Sequence, residues 1–326
     1  MARDALFELR RRTFDTPRFK GIEFIESEAK SILNHVPGNR LPFNWTINPY
    51  RGCSHACTFC FARVTHTFLD MNAGSDFDSK IVVKVNAPEL LRKELRAKRW
   101  MGELVAMGTS TDPYQRAEGK YELMPKIIQA LTEVRNPFSI LTKGTLILRD
   151  LDLLVEAASV TDVTTSFSIG TFDEDVWAKS EPGTPHPRKR MAAVKKLNEA
   201  GVPCGVLVAP ILPGLSDSQE QLKEVIDGAL DAGATHIYPI LLHLRPVVRE
   251  EYMGWLQDTY PDLIGTYEDL YRGRIYASSA DKAALDKRFK AAMAGRKTVT
   301  PRPRPKRPPR ARAEIERLNN QQLTLI

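Results

Sequence analysis

The sequence predicts an α/β protein built on a six-stranded, partial TIM-like open barrel. Three observations favour this class. Six short apolar runs alternate with amphipathic helical patterns from Phe43 onward, several helices carry end signals, and polar or Gly/Pro-rich segments follow the apolar runs. Strands that alternate with helices form parallel βα units with right-handed crossovers, and such barrels place their site at the carboxyl ends of the strands.

The predicted elements succeed one another in regular order. Strands are expected over residues 44–48, 103–107, 138–142, 162–169, 204–212 and 236–241. Helices are expected between them over residues 88–100, 121–134, 151–158, 187–200 and 218–232. Ser218 suits a helix N-cap, and Gly201 and Gly233 suit helix ends.

The segments outside the barrel divide the chain further. We predict an irregular N-terminal arm over residues 1–42, with a short helix over 26–33, and the barrel over 43–245. A helical extension over 246–295 carries predicted helices at 248–260 and 281–293. A basic, Pro-rich tail over 296–326 is expected to be disordered, because proline can join neither a helix interior nor a sheet ladder.

The net charge of +7 is concentrated in that tail. Residues 296–312 contain eight Lys and Arg residues and no acid, so the rest of the chain is near neutral. The tail could bind nucleic-acid phosphates in a salt-sensitive way or could serve as a solvated linker. The most apolar stretch, 205–215, is too short for a membrane span and contains two prolines. The N-terminus has no signal core, which predicts a cytoplasmic location without membrane contact.

Three of the four cysteines lie within eight residues and define the chemistry of the chain. Cys53, Cys57 and Cys60 have the spacing CxxxCxxC directly after the first predicted strand. One interpretation is a [4Fe-4S] cluster held by three thiolates with one iron left open. A structural zinc site with His55 or His66 as the fourth ligand is another, and free structural thiols are a third.

The wider string NPYRGCSHACTFCFAR, residues 48–63, resembles the cysteine motif of radical S-adenosylmethionine (radical SAM) enzymes, in particular the spore photoproduct lyase-like branch. Further matches to that branch are TDPYQ at 111–115, LTKG at 141–144, EPGTP at 181–185 and PILPG at 210–214. The resemblance runs from about Phe43 to Leu242 and implies an open barrel of radical SAM type.

The resemblance also implies the reaction and its cofactors. An electron from a reduced [4Fe-4S] cluster would cleave S-adenosyl-L-methionine (SAM), and the resulting 5′-deoxyadenosyl radical would abstract hydrogen from a substrate. An external electron donor of flavodoxin or ferredoxin type would be required. The chain has no second cysteine cluster, which argues against an auxiliary iron–sulfur centre.

The resemblance assigns site residues one by one. It makes Cys53, Cys57 and Cys60 the cluster ligands and places Phe59 on the adenine. It places Thr111 and Asp112 at the methionyl amine, Lys143 at the cofactor carboxylate, and Ser166 and Ser168 at the ribose. Weaker candidates are Tyr114, Gln115, Glu181 and Arg190.

One departure from the branch bears on the substrate. Spore photoproduct lyases place a hydrogen-donating cysteine near the end of the second strand, where this chain has Thr109 and Ser110. Cys204 opens the fifth predicted strand and is expected to face the core. The leading hypothesis is therefore a radical SAM enzyme of unassigned substrate, and the alternative is a nucleic-acid-binding or DNA-lesion-processing protein that uses the basic tail.

Overall fold

The computed structural model describes residues 10–38 and 41–301. Within those residues, the strands are β1 (Arg10–Thr13), β2 (Glu23–Ser27), β3 (Leu33–His35), β4 (Trp45–Ile47), β5 (Tyr50–Arg51), β6 (Lys80–Lys84), β7 (Val105–Met107), β8 (Phe138–Thr142), β9 (Val163–Ser168), β10 (Cys204–Ile211) and β11 (Ile237–Leu241). The α-helices are α1 (Val64–Thr67), α2 (Ser75–Ser79), α3 (Ala87–Arg96), α4 (Glu118–Tyr121), α5 (Leu123–Glu133), α6 (Leu151–Val160), α7 (Glu174–Ser180), α8 (Pro187–Glu199), α9 (Gln219–Asp231), α10 (Pro246–Thr259), α11 (Ile264–Tyr271) and α12 (Ser279–Met293).

The larger sheet of the described region contains all six predicted barrel strands. Its order is β11-β10-β9-β8-β7-β4-β3, and every neighbouring pair from β4 to β11 is parallel. Each parallel strand lies beside the preceding one, as right-handed βα crossovers require. The predicted (β/α)6 open barrel is confirmed, and its carboxyl-end loops face one side.

The helices that cover this sheet form where the sequence has helical apolar spacing and helix-end signals, and α9 is an example. Helix α9 begins at Ser218, whose Oγ accepts a hydrogen bond from Gln221 N at 3.1 Å while Gln221 Oε1 accepts one from Ser218 N at 3.3 Å. Such a capping box stabilises a helix by about 1 kcal/mol. The helix buries Leu222, Val225 and Ile226 against the sheet, and Gly233 follows its end with a φ of +71°. The predicted boundaries of α9 are thereby confirmed.

The predicted N-terminal helix over 26–33 is wrong. Those residues belong instead to β2 and β3 and the turn between them, and β3 pairs antiparallel with β4 at the edge of the larger sheet. Phe24 and Ile25 of β2 are both buried. Pairing with β6 and aromatic packing of Phe24 against Phe14 and Phe19 outweigh the local helical pattern.

A smaller sheet with the order β1-β2-β6-β5 was not foreseen from the sequence. Its edge strand β5 pairs antiparallel with β6, with Tyr50 opposite Val83 and Arg51 opposite Val82. Only Gly52 separates the end of β5 from Cys53, where the cysteine loop begins. This sheet therefore fixes the point at which the loop starts.

The C-terminal extension contributes a second apolar cluster beside the cysteine loop. Helices α10 and α12 confirm the two predicted helices, whereas α11 between them was not foreseen. Tyr252, Tyr267 and Tyr271 are buried and pack in one cluster with Cys57 and Phe59. Tyr252 donates its hydroxyl hydrogen bond to Tyr267 Oη at 2.9 Å. This aromatic layer covers the cysteine loop on one side.

The chain remains packed beyond residue 296, where the basic tail was predicted to begin. Arg296 forms an ion pair with Asp227, and Val299 N donates a hydrogen bond to Ala234 O at 3.1 Å. Residues 302–326, which carry most of the predicted tail, lie outside the described residues. None of the helices over residues 10–38 and 41–301 is long and apolar enough to cross a membrane.

Candidate cluster and cofactor site

The cysteine loop, residues 53–60, folds back on itself through a series of tight turns. Gly52 has a φ of +84°, and a Cβ there would lie 2.9 Å from Lys80 O, so the entry to the loop requires glycine. Ala56 adopts a φ of +53° and donates its backbone hydrogen bond to Cys53 O at 3.2 Å. Cys60 N donates to Cys57 O at 3.3 Å. These turns gather the three thiols on one short loop.

Residues after the second parallel strand hold the loop in place. Thr111 Oγ1 and Gln115 Nε2 donate to Gly52 O at 2.7 and 2.8 Å, and Gln115 Oε1 accepts from Ser54 N at 3.0 Å. Both side chains are buried. The contact seen for Thr111 is therefore with the loop itself, and its role at the cofactor amine remains a prediction.

Arg63 fixes the far end of the loop and was not singled out from the sequence, although it closes the motif string. Its guanidinium donates to Cys57 O at 2.9 and 3.1 Å and to the backbone carbonyls of Ala73 and Gly74. It also donates to both oxygens of Asp78 at 3.0 Å. Burial raises the pKa of Asp78 to about 6 against the effect of Arg63. The planar guanidinium donates in several directions at once, which the single ammonium of lysine does not match.

The three thiols lie in an environment that fits an iron–sulfur cluster. Cys53 and Cys57 are buried and Cys60 is half-buried. Burial raises the pKa of all three thiols, and Asp112 and the other two sulfurs raise that of Cys53 further. Burial therefore disfavours the thiolate form of these three residues, and the positive charge of a bound cluster would stabilise it.

Two further observations bear on that fit. The Thr58 hydroxyl, inside the loop, is buried and has no hydrogen-bond partner among the described residues. No three His, Cys, Asp or Glu side chains of residues 10–38 and 41–301 converge on a point that could hold one metal ion. In a cubane each thiolate binds a different iron, so the ligands need not converge. The donor set thus fits a [4Fe-4S] cluster.

Asp112 forms a polar centre beside the cysteine loop. Its Oδ1 accepts hydrogen bonds from Thr142 Oγ1 at 2.6 Å and Tyr114 N at 2.8 Å, and its Oδ2 accepts from Lys143 N at 2.7 Å. His55 Nδ1 lies 3.3 Å from Oδ2 without an aligned hydrogen bond. Burial alone would raise the pKa of Asp112, but the nearby His55 and the hydrogen bonds hold it below its usual range. Asp112 is therefore a fixed carboxylate with little solvent exposure.

Lys143 forms a second polar centre with Ser168 and with two of the weaker candidates, Glu181 and Arg190. Its Nζ donates to Ser168 Oγ at 2.7 Å and to Glu181 Oε1 at 2.8 Å, and it lies 5.6 Å from the centroid of the Phe59 ring. Glu181 Oε2 accepts from Arg190 at 2.5 Å. Glu181 is 5% and Arg190 1% exposed, so neither is the solvated surface charge that such residues usually are.

The structure brings most of the predicted site residues together and separates one. Asp112, Lys143 and Ser168 are linked through hydrogen bonds, and Phe59 lies near Lys143. Ser166 lies one layer lower on the same face of β9, with its Oγ 2.8 Å from His236 Nε2. A Cβ on Gly205 would lie 2.3 Å from that ring nitrogen, so the glycine makes room for the contact.

The remaining candidates have structural partners. Tyr114 Oη donates to Asp150 at 3.0 Å. His66 Nε2 lies 2.9 Å from Lys80 O, on the side of the loop that faces the smaller sheet. Cys204 is fully buried at the start of β10, which confirms its predicted place in the core. Asn48, which was not singled out, accepts a hydrogen bond from Ser110 N at 3.0 Å through Oδ1.

The chain is similar to proteins of one enzyme superfamily. The family model described as the radical SAM superfamily matches residues 47–226. The chain is 48% identical over 278 residues to the uncharacterized protein Rv2578c of Mycobacterium tuberculosis, an alignment that covers 85% of this chain and 82% of the relative. It is 31% identical over 244 residues to the uncharacterized protein MJ0683 of Methanocaldococcus jannaschii, which covers 74% of this chain and 85% of the relative.

The fold is also similar to that of solved structures. A spore photoproduct lyase complexed with dinucleoside spore photoproduct superposes with a TM-score of 0.62 at 17% identity and covers 83% of this chain and 78% of its own. A mutant of that lyase with bound AdoMet gives the same TM-score and the same coverage. At this identity the likeness concerns the fold, and it agrees with the branch that the motifs indicate. The family match covers more than half of the sequence, and the chain therefore belongs to the radical SAM superfamily.

Proposed function

We propose that this protein is a radical SAM enzyme that holds a [4Fe-4S] cluster on Cys53, Cys57 and Cys60 and abstracts hydrogen from a substrate still to be assigned. The observation that carries the proposal is the loop of two buried thiols and one half-buried thiol beside the polar centres of Asp112 and Lys143. When bound, the reduced cluster and SAM together supply a 5′-deoxyadenosyl radical, which is the hard chemistry of the reaction.

The side chains around the loop would bind and orient SAM. The Lys143 ammonium would suit the carboxylate of SAM, the Asp112 carboxylate would suit its amine, and the Ser168 hydroxyl would suit a polar group of the ribose. The Phe59 ring offers an apolar face to the adenine. The tyrosine layer of α10 and α11 excludes water from the side of the loop that Cys57 occupies.

The test is anaerobic reconstitution with iron and sulfide, followed by metal analysis and a SAM cleavage assay with dithionite. We expect four irons per chain and release of 5′-deoxyadenosine, as the proposed cluster requires. Alanine at Cys53, Cys57 or Cys60 should abolish both. Cys204→Ala is the matched control, because that thiol is buried in the core away from the loop, and it should retain both. A single zinc ion without cleavage would support the structural zinc interpretation instead.

A DNA-lesion substrate is the second candidate, and one observation favours it: the fold matches a lyase solved with a dinucleoside photoproduct. At the place of the expected cysteine, the Thr109 hydroxyl and Ser110 N both bond to Asn48. We expect the cleavage assay with UV-irradiated DNA to show whether deuterium passes from the lesion into 5′-deoxyadenosine. Binding through the basic segment 296–312 is tested by deleting residues 302–326, because residues 296 and 299 pack on the body.

We further propose a cytoplasmic location and reduction by an external donor of flavodoxin or ferredoxin type. The four cysteines of the described region are free thiols, which a reducing compartment maintains.

A further inference from the structure

An exposed group of aromatic and basic side chains lies directly beside the cysteine loop. Phe61 follows Cys60 in the chain and is 47% exposed. The Arg245 guanidinium, at the start of α10, lies 5.8 Å from the centroid of the Phe61 ring. The cation and the ring thus form one surface next to the half-buried Cys60, the most accessible of the three loop thiols.

The same surface continues to the segment before α12. His243 and Tyr276 pack edge to face with their ring centroids 4.6 Å apart, and the Lys282 Nζ lies 4.8 Å from the Tyr276 centroid. Tyr276 is 43% exposed. Leu244 N donates a hydrogen bond to Ile275 O at 2.9 Å, so the segment that carries His243 and Arg245 runs beside the segment that carries Tyr276. Burial lowers the pKa of His243, and the positive charges of Lys282 and Arg245 lower it further. We call Phe61, His243, Arg245, Tyr276 and Lys282 together the Phe61 patch.

The charge of the Phe61 patch is positive at neutral pH. His243 is neutral there because its pKa is lowered, so Arg245 and Lys282 supply the charge. The acid next to Lys282 in sequence, Asp281, accepts hydrogen bonds from Ser278 N at 3.2 Å and Ser278 Oγ at 2.5 Å, as the capping box of α12 requires. Its charge is therefore directed at the helix end.

We propose that the Phe61 patch is the docking surface for a small acidic redox protein that delivers the electron to the cluster. This inference rests on the proposed function. In the transfer the donor loses one electron and the cluster gains it, and no bond forms or breaks. Phe61 directly follows Cys60, which is a proposed cluster ligand. A partner that contacts Phe61 would therefore lie close to the cluster.

The composition of the patch fits such a partner. Aromatic residues and arginine are enriched in protein interfaces, and complementary charge accelerates association with a partner of opposite sign. Electron-transfer complexes bury small areas and dissociate readily, so a patch of a few residues is of suitable size. The acidic surface of the partner follows from the two cations.

The experiment uses the anaerobically reconstituted holoprotein and an acidic flavodoxin as the probe. The Kd of the complex is measured at low and high salt for the wild type, Arg245→Glu, Lys282→Glu and the double variant. Lys126→Glu, an exposed charge reversal on α5, is the matched control. We expect each reversal in the patch to weaken binding about 3- to 10-fold and the double variant to weaken it more, with the effect shrinking at high salt.

Cleavage of SAM is measured in parallel with flavodoxin and with dithionite as reductant. The patch variants should lose the flavodoxin-supported rate and keep the dithionite-supported rate, which distinguishes a failed docking surface from a failed catalytic proposal. Unchanged flavodoxin affinity in the double variant overturns the inference. So does an equal loss with dithionite, which assigns the patch to the catalytic site, or weakened binding of a labelled single-stranded oligonucleotide with unchanged flavodoxin binding, which assigns it to nucleic acid.

Discussion

Replacing Glu181 by glutamine tests the electrostatic core of the site. Glu181 is buried between the Lys143 ammonium at 2.8 Å and the Arg190 guanidinium at 2.5 Å. Burial would raise the pKa of this carboxyl, but the two cations lower it from 4.5 to about 2. Glu181→Gln keeps the shape of the side chain and removes its negative charge, so that the buried Arg190 and the largely buried Lys143 lose the anion between them.

The expected loss of stability follows from the shift in the pKa of Glu181. A pKa about 2.5 units below its unfolded value corresponds to about 3 kcal/mol of stability, and breaking a buried ion pair by removing one partner typically costs about 3 to 5 kcal/mol. Because the folded pKa is lowered, this contribution is complete above the unfolded pKa and is lost as the pH falls toward the folded one. The difference between wild type and variant should therefore be constant from pH 8 to pH 6 and smaller by about 1 kcal/mol at pH 4.

The assay is urea unfolding followed by circular dichroism at pH 7 and at pH 4. Glu199→Gln is the control, because Glu199 is exposed and lies 3.9 Å from Lys195, and it should change the free energy of unfolding by less than about 0.5 kcal/mol. A loss below about 1 kcal/mol for Glu181→Gln, or a loss independent of pH, refutes the conclusion that Glu181 holds the two cations together.

Three further substitutions probe other parts of the structure. A Cβ on Gly183 would lie 2.2 Å from Ser54 O, so Gly183→Ala should displace the cysteine loop and lower the iron content of the reconstituted protein; unchanged iron would contradict that. Asp112→Asn replaces a carboxylate oxygen by an NH2 group that cannot accept the hydrogen bonds of Tyr114 N or Lys143 N. It should lower the free energy of unfolding in urea by about 1 to 3 kcal/mol, and an unchanged value would refute the role of Asp112 as a fixed acceptor. Gly254 lies on the exposed side of α10, and no heavy atom lies within 4 Å of the Cβ that alanine would add. Gly254→Ala should therefore raise the free energy of unfolding by up to about 1 kcal/mol, and a lower free energy of unfolding would contradict this open position.

The barrel was predictable because its signals are local and repeated. The six parallel strands β4, β7, β8, β9, β10 and β11 each lie within a predicted apolar run, and α9 starts at the predicted Ser218 cap. The N-terminal segment was not predictable in this way. Its strands β2 and β3 exist because β6 and β4 are available for pairing, and β6 lies more than fifty residues farther along the chain from β2. A periodicity rule applied to residues 26–33 alone cannot include those partners.

The site was predictable where a motif carries it and less so where burial decides. The spacing singles out Cys53, Cys57 and Cys60 as one candidate metal-binding loop, and the family resemblance singles out Lys143 and Asp112; their roles toward the cofactors stay predictions. Arg63 lies in the motif string, yet only the structure shows its guanidinium bound to the Cys57 carbonyl. Glu181 and Arg190 are charged residues that a sequence places on the surface by default. They can be buried because they pair with each other. The pairing requires the fold to place Arg190 of α8 beside Glu181, the residue that follows α7.

The charges of these buried residues also indicate what kind of ligand completes the site. Lys143, Glu181 and Arg190 together carry one excess positive charge where little solvent reaches, which favours an added anion at Lys143. An incoming carboxylate at Lys143 would supply it, and Glu181 would keep Arg190 as its partner. Asp112, whose Oδ2 accepts from the backbone N of Lys143 at 2.7 Å, offers the opposite charge nearby. If SAM binds as proposed, its methionyl end is a zwitterion whose carboxylate would suit the Lys143 ammonium and whose amine would suit the Asp112 carboxylate.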